Sequence, residues 1–140
     1  MSNSAFEFDH IHIISQTPAE SANWYVEMLG AHIKADTVAR GAAQIFLDVG
    51  GKIIVIRGAR PGEIPAPTGP IREYADFASH NEWGTDHFGF LYHGDLRALC
   101  DDLSAKGVSF PVALKEGVGG RVLCYVSAPD GVSIELMQAE

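Results

Sequence analysis

The spacing of apolar and polar positions predicts a strand, a helix and three further strands in the first half of the chain. Residues 8–15 are rich in isoleucine and leave little room for a helix, which indicates a buried strand. Residues 17–20 have the form of a capping box with Thr17 as the N-cap, so a helix is predicted from there to about Leu29, with Gly30 as its stop. The strands that follow are predicted at 31–38, 43–49 and 52–57, the last two joined tightly at Gly50-Gly51.

The second half of the chain follows the same plan. Residues 86–92 are a predicted strand, Asp95 starts a helix whose leucines form one apolar stripe, and Gly107 ends that helix. Further strands are predicted near 108–115, 121–127 and 132–138, with a turn at 129–131.

An internal repeat accounts for this common plan. Asp9 and His10 open the first strand, and Asp86 and His87 open its counterpart 77 positions later. A repeated unit fixes an architecture, here two tandem βαβββ modules. Because each copy has a histidine at the start of its first strand, pseudo-symmetry would bring two imidazoles side by side, which is half of a metal site.

The length of 140 residues suits one domain, and a single domain is expected over residues 1–140. Module one is expected at about 6–58 and module two at about 85–140. The connection between them, 59–84, contains four of the seven prolines and has an aromatic second half. A loop of this length inside a domain is usually functional or disordered rather than idle, and this one is too aromatic for a mere spacer.

The formal net charge of −8 argues against a nucleic-acid partner, which would need a basic face. A membrane partner is not expected, because no apolar run approaches the roughly 18 residues that span a bilayer, and no signal peptide is recognised. The two cysteines lack metal-type spacing, and a reduced, cytoplasmic setting is the simplest interpretation. Five cationic residues, ordinarily solvated surface positions, could form a local pocket for a small anion: Arg57, Arg60, Arg72, Lys115 and Arg121.

The first strand of each module begins with Asp-His, and the last strand follows Pro-Asp-Gly and contains a glutamate. In these two features the chain resembles the vicinal oxygen chelate superfamily. This group includes glyoxalase I, methylmalonyl-CoA epimerase, the fosfomycin- and bleomycin-resistance proteins and the extradiol dioxygenases. The resemblance covers nearly the whole chain and implies an α+β fold whose two tandem βαβββ modules form a curved mixed sheet, with a metal where the halves meet. The segments that show it are 8–13, 24–30, 86–90 and 128–135.

His10, His87 and Glu135 are the predicted metal ligands. The repeat makes the two histidines symmetry mates, and Glu135 is the carboxylate available on a last strand. Aligning the last strands of the two modules puts Val55 opposite Glu135. The resemblance implies that both of these positions provide a carboxylate ligand in glyoxalase I, so this chain has a valine in place of the second one. Two imidazoles and one carboxylate leave positions open for water and substrate, and they suit one divalent ion per chain: Fe, Mn, Ni, Co or Zn.

The first functional hypothesis is a metal-dependent lyase or isomerase of the glyoxalase type. In such an enzyme a base removes an α-proton, and the metal stabilises the enolate or enediolate that forms. The candidate catalytic residues are Glu135, His12 and Tyr125. His12 lies two residues from His10 and therefore points to the same sheet face. Its role could be that of a base, a substrate contact or a packed side chain. Val55 counts against a close copy of glyoxalase I.

Two alternatives stay open. Segment 125–135 looks like the end of the signature of Fe(II) extradiol ring-cleaving dioxygenases, but residues 113–124 lack the histidine that this signature expects. A metal-free, ligand-sequestering protein of the bleomycin-resistance type has no need of two histidines and a glutamate. The expected partner is a small-molecule substrate in each case, and the resemblance implies a homodimer.

Overall fold

A mixed four-stranded sheet with one helix is built twice along the chain. The computed structural model describes residues 4–140, and the chain divides into two units, Met1–Ala66 and Pro67–Glu140. Within the described residues, each unit contains a βαβββ module, a strand followed by a helix and three strands, and unit two has a two-stranded hairpin before its module. This confirms the α+β class and the two tandem βαβββ modules. The boundary falls inside the connection 59–84, and the expectation of a single domain stays a prediction.

Unit one forms a sheet in which the first strand lies beside the last. The strand order is β1-β4-β3-β2, with β1 parallel to β4 and the other neighbours antiparallel. The helix contacts β3 and β4. The elements are β1 (His10–Ile14), α1 (Pro18–Leu29), β2 (His32–Ala39), β3 (Ala42–Val49) and β4 (Lys52–Arg57), as the apolar pattern predicts.

The ends of α1 agree with the sequence at the C-terminus and differ at the N-terminus. Gly30 takes the left-handed conformation with φ 68°, which a glycine adopts without steric cost. The predicted capping box is wrong, because the Thr17 side chain forms no capping hydrogen bond. The Ser15 hydroxyl ties the segment before the helix to its first turn: its Oγ accepts from the backbone N–H of Thr17 at 3.0 Å and lies 2.9 Å from the Ser21 hydroxyl. The end of the preceding strand thus fixes the start of this helix.

Unit two repeats the sheet and adds a hairpin before it. The sheet order is β7-β10-β9-β8, with β7 parallel to β10, and β5 pairs with β6 in the hairpin. The hairpin lies in the connection and was not predicted, and the strand expected from 108 begins only at 112. The elements are β5 (Arg72–Glu73), β6 (Ala78–Ser79), β7 (Phe88–Tyr92), α2 (Leu96–Ala105), β8 (Val112–Glu116), β9 (Val122–Ser127) and β10 (Ser133–Gln138).

The strand register confirms the alignment of the two last strands. In unit one His12 on β1 pairs with Val55 on β4. In unit two Gly89, the counterpart of His12 in the repeat, pairs with Glu135 on β10. Val55 and Glu135 therefore occupy equivalent positions, one apolar and one acidic.

The two faces of the unit-two sheet differ in polarity, since alternate residues of a strand point to opposite sides. One face packs against α2, where the Sγ atoms of the free cysteines Cys100 and Cys124 lie 3.5 Å apart. The side chains buried on that face are Cys124, Val126, Ile134 and Leu136. The half-buried side chains of the opposite face are Leu123, Tyr125, Glu135 and Met137. Candidate chemistry is therefore confined to the face away from the helix.

No helix among residues 4–140 is both long enough and apolar enough to cross a membrane.

The start of α2 gives a direct test of how the helix is held. Asp95 Oδ1 accepts hydrogen bonds from the backbone N–H groups of Arg97 and Ala98, at 3.0 and 3.3 Å. We expect Asp95→Ala to lower the free energy of unfolding by about 1 kcal/mol, because these groups then lose their protein partner. Urea denaturation at pH 7 measures this. Asp95→Ser should keep most of the stability, and a loss as large in Asp101→Ala, an exposed position of the same helix, would contradict the cap.

Candidate functional site

His87 stands at the centre of a polar cluster in unit two. Its Nδ1 lies 2.8 Å from Asp86 Oδ2, and its Nε2 lies 3.4 Å from Glu135 Oε2 and 3.2 Å from the Tyr125 hydroxyl. A carboxylate only accepts hydrogen bonds, so the contact with Asp86 puts the ring proton on Nδ1. In the neutral form of the ring, the Nε2 lone pair then faces Glu135 and Tyr125.

Asp86 is held in place by the end of the hairpin. Its Oδ1 accepts from the Ser79 hydroxyl at 2.6 Å and from the His80 N–H at 3.1 Å. The Asn81 N–H donates to Ser79 Oγ at 2.9 Å, which leaves the hydroxyl proton for Asp86. The hydrogen bond from Ser79, and next that with His87, lowers the pKa of Asp86 from its ordinary 3.8. Asp86 is therefore a fixed carboxylate that orients the imidazole.

Glu135 lies beside a glycine on the strand that carries His87 at its start. Glu135 pairs with Gly89 on β7 and with Tyr125 on β9. A Cβ on Gly89 would lie 3.1 Å from the backbone oxygen of Glu135 and 3.6 Å from its Oε2. A side chain at position 89 would therefore crowd the backbone of Glu135, while its contact with the carboxylate would be an ordinary one.

Tyr125 is a neutral hydrogen-bond donor. Burial, and after it the negative charges of Glu135 and Asp86, raise the pKa of its hydroxyl above the ordinary 10.0. The ring of His87 stands edge-on to that of Tyr125, with centroids 4.8 Å apart. The phenol therefore keeps its proton at neutral pH and directs it toward an acceptor in this cluster.

Unit one repeats the Asp-His pair but surrounds it differently. His10 Nδ1 lies 2.7 Å from Asp9 Oδ2, as in the copy in unit two. Asp9 is 90% exposed, whereas Asp86 is 33% exposed and bound on both oxygens. His12, on the same strand, has its ring centroid 6.2 Å from that of His10.

A buried arginine engages His12. Arg57 is only 7% exposed, so the expectation of a solvated residue is wrong. Its Nε donates to His12 Nε2 at 3.0 Å, while its terminal nitrogens bind both oxygens of Glu63, at 2.7 and 3.3 Å. Burial, followed by the charge of Arg57, lowers the pKa of His12 below 6.5. His12 is thus a neutral imidazole whose Nε2 lone pair already has a donor.

The structure brings three of the predicted residues together within unit two: His87, Glu135 and Tyr125. It brings His10 and His12 together within unit one. Among residues 4–140, neither unit gathers three His, Cys, Asp or Glu side chains able to hold a metal ion by itself. The joint ligation by His10, His87 and Glu135 stays a prediction, because its members belong to both units.

Sequence reasoning missed the residues that support the histidines. Ser79 acts through a tertiary contact with Asp86, and no local motif marks it. Arg57 is the last residue of an apolar strand, and this apolar sequence context was the one signal in the sequence that Arg57 is buried.

The fold is a duplicated βαβββ module, and an Asp-His pair stands at the start of each module. In unit two, the polar side chains of the candidate site lie on the sheet face opposite α2. The family model of the Glyoxalase/Bleomycin resistance protein/Dioxygenase superfamily matches residues 7–136. The chain belongs to this superfamily, and the resemblance to the vicinal oxygen chelate group is confirmed.

Solved structures show the same fold at low sequence identity. A glyoxylase/bleomycin resistance protein/dioxygenase domain from Frankia sp. EAN1pec is 19% identical with a TM-score of 0.74, over 98% of this chain and 94% of that one. A glyoxalase family protein from Enterococcus faecalis is 20% identical with a TM-score of 0.69, over 94% and 96%. The fosfomycin resistance protein FosX from Listeria monocytogenes, solved with Mn(II) and sulfate, is 14% identical with a TM-score of 0.65, over 96% and 93%. No curated protein matches the chain.

The hydrogen bond from Ser79 can be tested through the acidity of Asp86. We expect Ser79→Ala to raise the pKa of Asp86 toward 3.8 and to lower the free energy of unfolding at pH 7 by about 1 kcal/mol. A lowered carboxylate pKa stabilises the fold above the pKa of the unfolded chain, and this contribution disappears as the pH falls through the folded value. The stability difference between variant and wild type should therefore be full at pH 7 and shrink below about pH 4.

Carbon NMR titration of the Asp86 carboxyl and urea unfolding at several pH values measure the two effects. Ser79→Thr keeps the hydroxyl and should resemble wild type. An unchanged Asp86 pKa in Ser79→Ala would show that the hydroxyl does not hold this carboxylate.

Proposed function

We propose that the protein is a metal-dependent enzyme of the glyoxalase type, a lyase or isomerase acting on a small substrate that chelates through its oxygen atoms. His10, His87 and Glu135 are the proposed ligands of one divalent ion per chain. The observation that chiefly supports this is the position of His87, whose Nε2 faces Glu135 Oε2 at 3.4 Å while Asp86 binds the other ring nitrogen.

The donor atoms of His87 and Glu135 fit a divalent cation. An imidazole lone pair and a carboxylate repel each other at this distance unless a cation or a proton lies between them. Two ligand atoms that each lie about 2.1 Å from one ion are roughly 3.0–3.4 Å apart for octahedral to tetrahedral angles. The carboxylate behind Nδ1 is the usual outer partner of a metal-binding histidine. The Mn(II) present in the FosX structure supports a divalent ion in this fold.

The repeat supports His10 as the second imidazole. Asp9 binds His10 Nδ1 as Asp86 binds His87 Nδ1, so in the neutral form of each ring the proton lies on Nδ1 and Nε2 can bind a metal. Val55 stands at the position equivalent to Glu135, which leaves three protein ligands and open positions for substrate.

A bound divalent ion would act as a Lewis acid toward the substrate oxygens and stabilise the negative charge left by loss of an α-proton. Tyr125 keeps its proton and is placed beside His87 Nε2, so its hydroxyl can donate to a substrate oxygen at the same point. Donors aimed at developing charge in a site with little water contribute strongly to catalysis.

Glu135 is the proposed base, and His12 is the competing candidate. A carboxylate that gives one oxygen to a cation retains a second oxygen for proton transfer. The Nε2 of His12 instead accepts from Arg57 Nε at 3.0 Å, a bond that would have to break before His12 removed a proton. We therefore assign His12 to substrate contact and Glu135 to proton transfer.

Metal content tests the ligand set. Purified without chelator, the wild type should contain about one equivalent of a divalent metal per chain by elemental analysis, and His10→Ala, His87→Ala and Glu135→Ala should each lose tight binding. His93→Ala, at an exposed turn position of unit two, is the matched control and should keep its metal.

Circular dichroism and thermal unfolding establish that each variant is folded. Full metal content in a folded Glu135→Ala would remove that residue from the ligands, and the same holds for either histidine. A metal-free wild type that takes up no added divalent ion would leave the ligand-sequestering alternative.

Hydrogen exchange with solvent tests the chemistry. In deuterated water, the metal-loaded enzyme should introduce deuterium at the α-carbon of at least one member of a panel of 2-hydroxy- and 2-oxoacyl compounds, as followed by proton NMR. Glu135→Gln should slow this exchange at least about 100-fold, because general base catalysis typically contributes that much. His12→Gln should stay within about tenfold of wild type if it only contacts substrate.

Loss of exchange in His12→Gln with retention in Glu135→Gln would reverse the assignment of the base. Oxygen uptake with a catechol and bound iron, without α-carbon exchange, would replace the proposal by ring cleavage.

A cytoplasmic location and a homodimeric state belong to the same proposal. The free thiols of Cys100 and Cys124 suit a reducing compartment. Strand β2 is at the edge of its sheet with Ile33 and Val38 exposed, and a second copy of the chain would cover such an edge.

A further inference from the structure

A cavity of about 880 Å³ lies in unit two on the sheet face that bears Glu135 and Tyr125. Its floor is formed by β8, β9 and β10, and its rim by the hairpin tip at 76–77 and the glycine-rich turn 117–120. This volume is near the upper end for small-molecule sites. It is far larger than a substrate of a few carbon atoms requires.

The cavity changes from polar to apolar to cationic along the strands. Tyr125 pairs with Glu135 at one level, and Leu123 pairs with Met137 two residues further along. Lys115 pairs with Leu123 at this second level, and Arg121 lies two residues beyond it. At about 3.3 Å per residue, the cationic groups begin roughly 7–13 Å from the level of Glu135.

The cationic groups retain most of their hydrogen-bonding capacity. Lys115 Nζ donates to the backbone oxygen of Asp76, which uses one of its three protons. Arg121 has a single carboxylate contact in the described part of the chain, at 3.7 Å to Glu140 Oε1, and that glutamate is 93% exposed. The position of Glu140 shows that a carboxylate is accommodated beside this guanidinium.

The acidic groups of the cavity do not oppose an anion at this end. Glu135 lies at the far level, at least two residues along the strands from the cationic groups. The Asp76 and Glu140 side chains are exposed at the rim, where solvent screens them. Leu123, Met137 and Phe77 supply apolar surface between the two ends.

We infer that this cavity binds an amphipathic organic anion, with its acidic group at Lys115 and Arg121, its apolar body over Leu123 and Met137, and its oxygen-bearing end toward Glu135. The direction of the ligand rests on the proposed function, whereas the affinity for an amphipathic anion does not. The substrate of the site is accordingly an organic acid of intermediate size, held at a distance from the reacting carbon.

The test uses the fluorescent probe anilinonaphthalene sulfonate and its uncharged analogue phenylnaphthylamine, which has the same aromatic body without the sulfonate. Both are titrated in the presence of a chelator, so that metal plays no part. We expect the wild type to bind the sulfonate at least tenfold more tightly than the neutral probe. The double variant Lys115→Gln/Arg121→Gln should lose about tenfold in sulfonate affinity and leave the neutral probe unchanged, since charged hydrogen bonds of this kind typically contribute that much.

Two further variants fix the location. Arg97→Gln/Lys106→Gln removes the same charge from α2, on the other face of the sheet, and should change neither affinity. Met137→Gln should weaken both probes together. Equal affinity for the two probes, an equal loss in the α2 variant, or unchanged binding in Met137→Gln would each overturn the inference.

The result is separable from the proposed function. Anion selectivity in a protein that takes up no metal would refute the proposed enzyme and support the anion site. Stoichiometric metal in a protein without that selectivity would support the proposed enzyme and refute the anion site.

Discussion

The parallel pairing of the first strand of each unit with its last strand is the constraint on which the candidate site depends. It places a residue from the beginning of a βαβββ unit beside one from its end, so that His87 and Glu135 meet although they are distant in sequence. The intervening helix provides the crossover that a parallel pair requires. Strands paired antiparallel by a simple hairpin would not bring these two side chains to the same edge.

The two copies of the unit use this pairing in opposite ways. In unit one the first strand provides the large polar side chain, His12, and the last strand provides Val55. In unit two the first strand provides Gly89, and the last strand provides Glu135. One position of each pair is thus small or apolar where the other is polar. The two units thus share the same strand pairing but carry different side chains at the equivalent positions.

The asymmetry extends to how each histidine is supported. The hairpin of unit two brings Ser79 and the His80 backbone to Asp86, which immobilises His87. Asp9 has exposed surroundings, and His12 is held instead by the buried Arg57, which is itself paired with the exposed Glu63. A carboxylate bound on both oxygens fixes its imidazole more firmly than an exposed one. His87 is therefore the preorganised ligand of the proposed metal site, and His10 is the more adaptable one.

The sequence by itself determined the order of elements, the duplication and the equivalence of Val55 with Glu135, because apolar periodicity, glycine stops and a repeat are local signals. It also marked His87, Glu135 and Tyr125, which the fold brings together. It did not reveal the role of Ser79, the burial of Arg57, the 72–79 hairpin or the hydrogen bond from the Thr17 N–H to the Ser15 hydroxyl before α1. Tertiary structure alone decided these, since each depends on a hydrogen bond or strand pair between segments whose meeting no local pattern encodes.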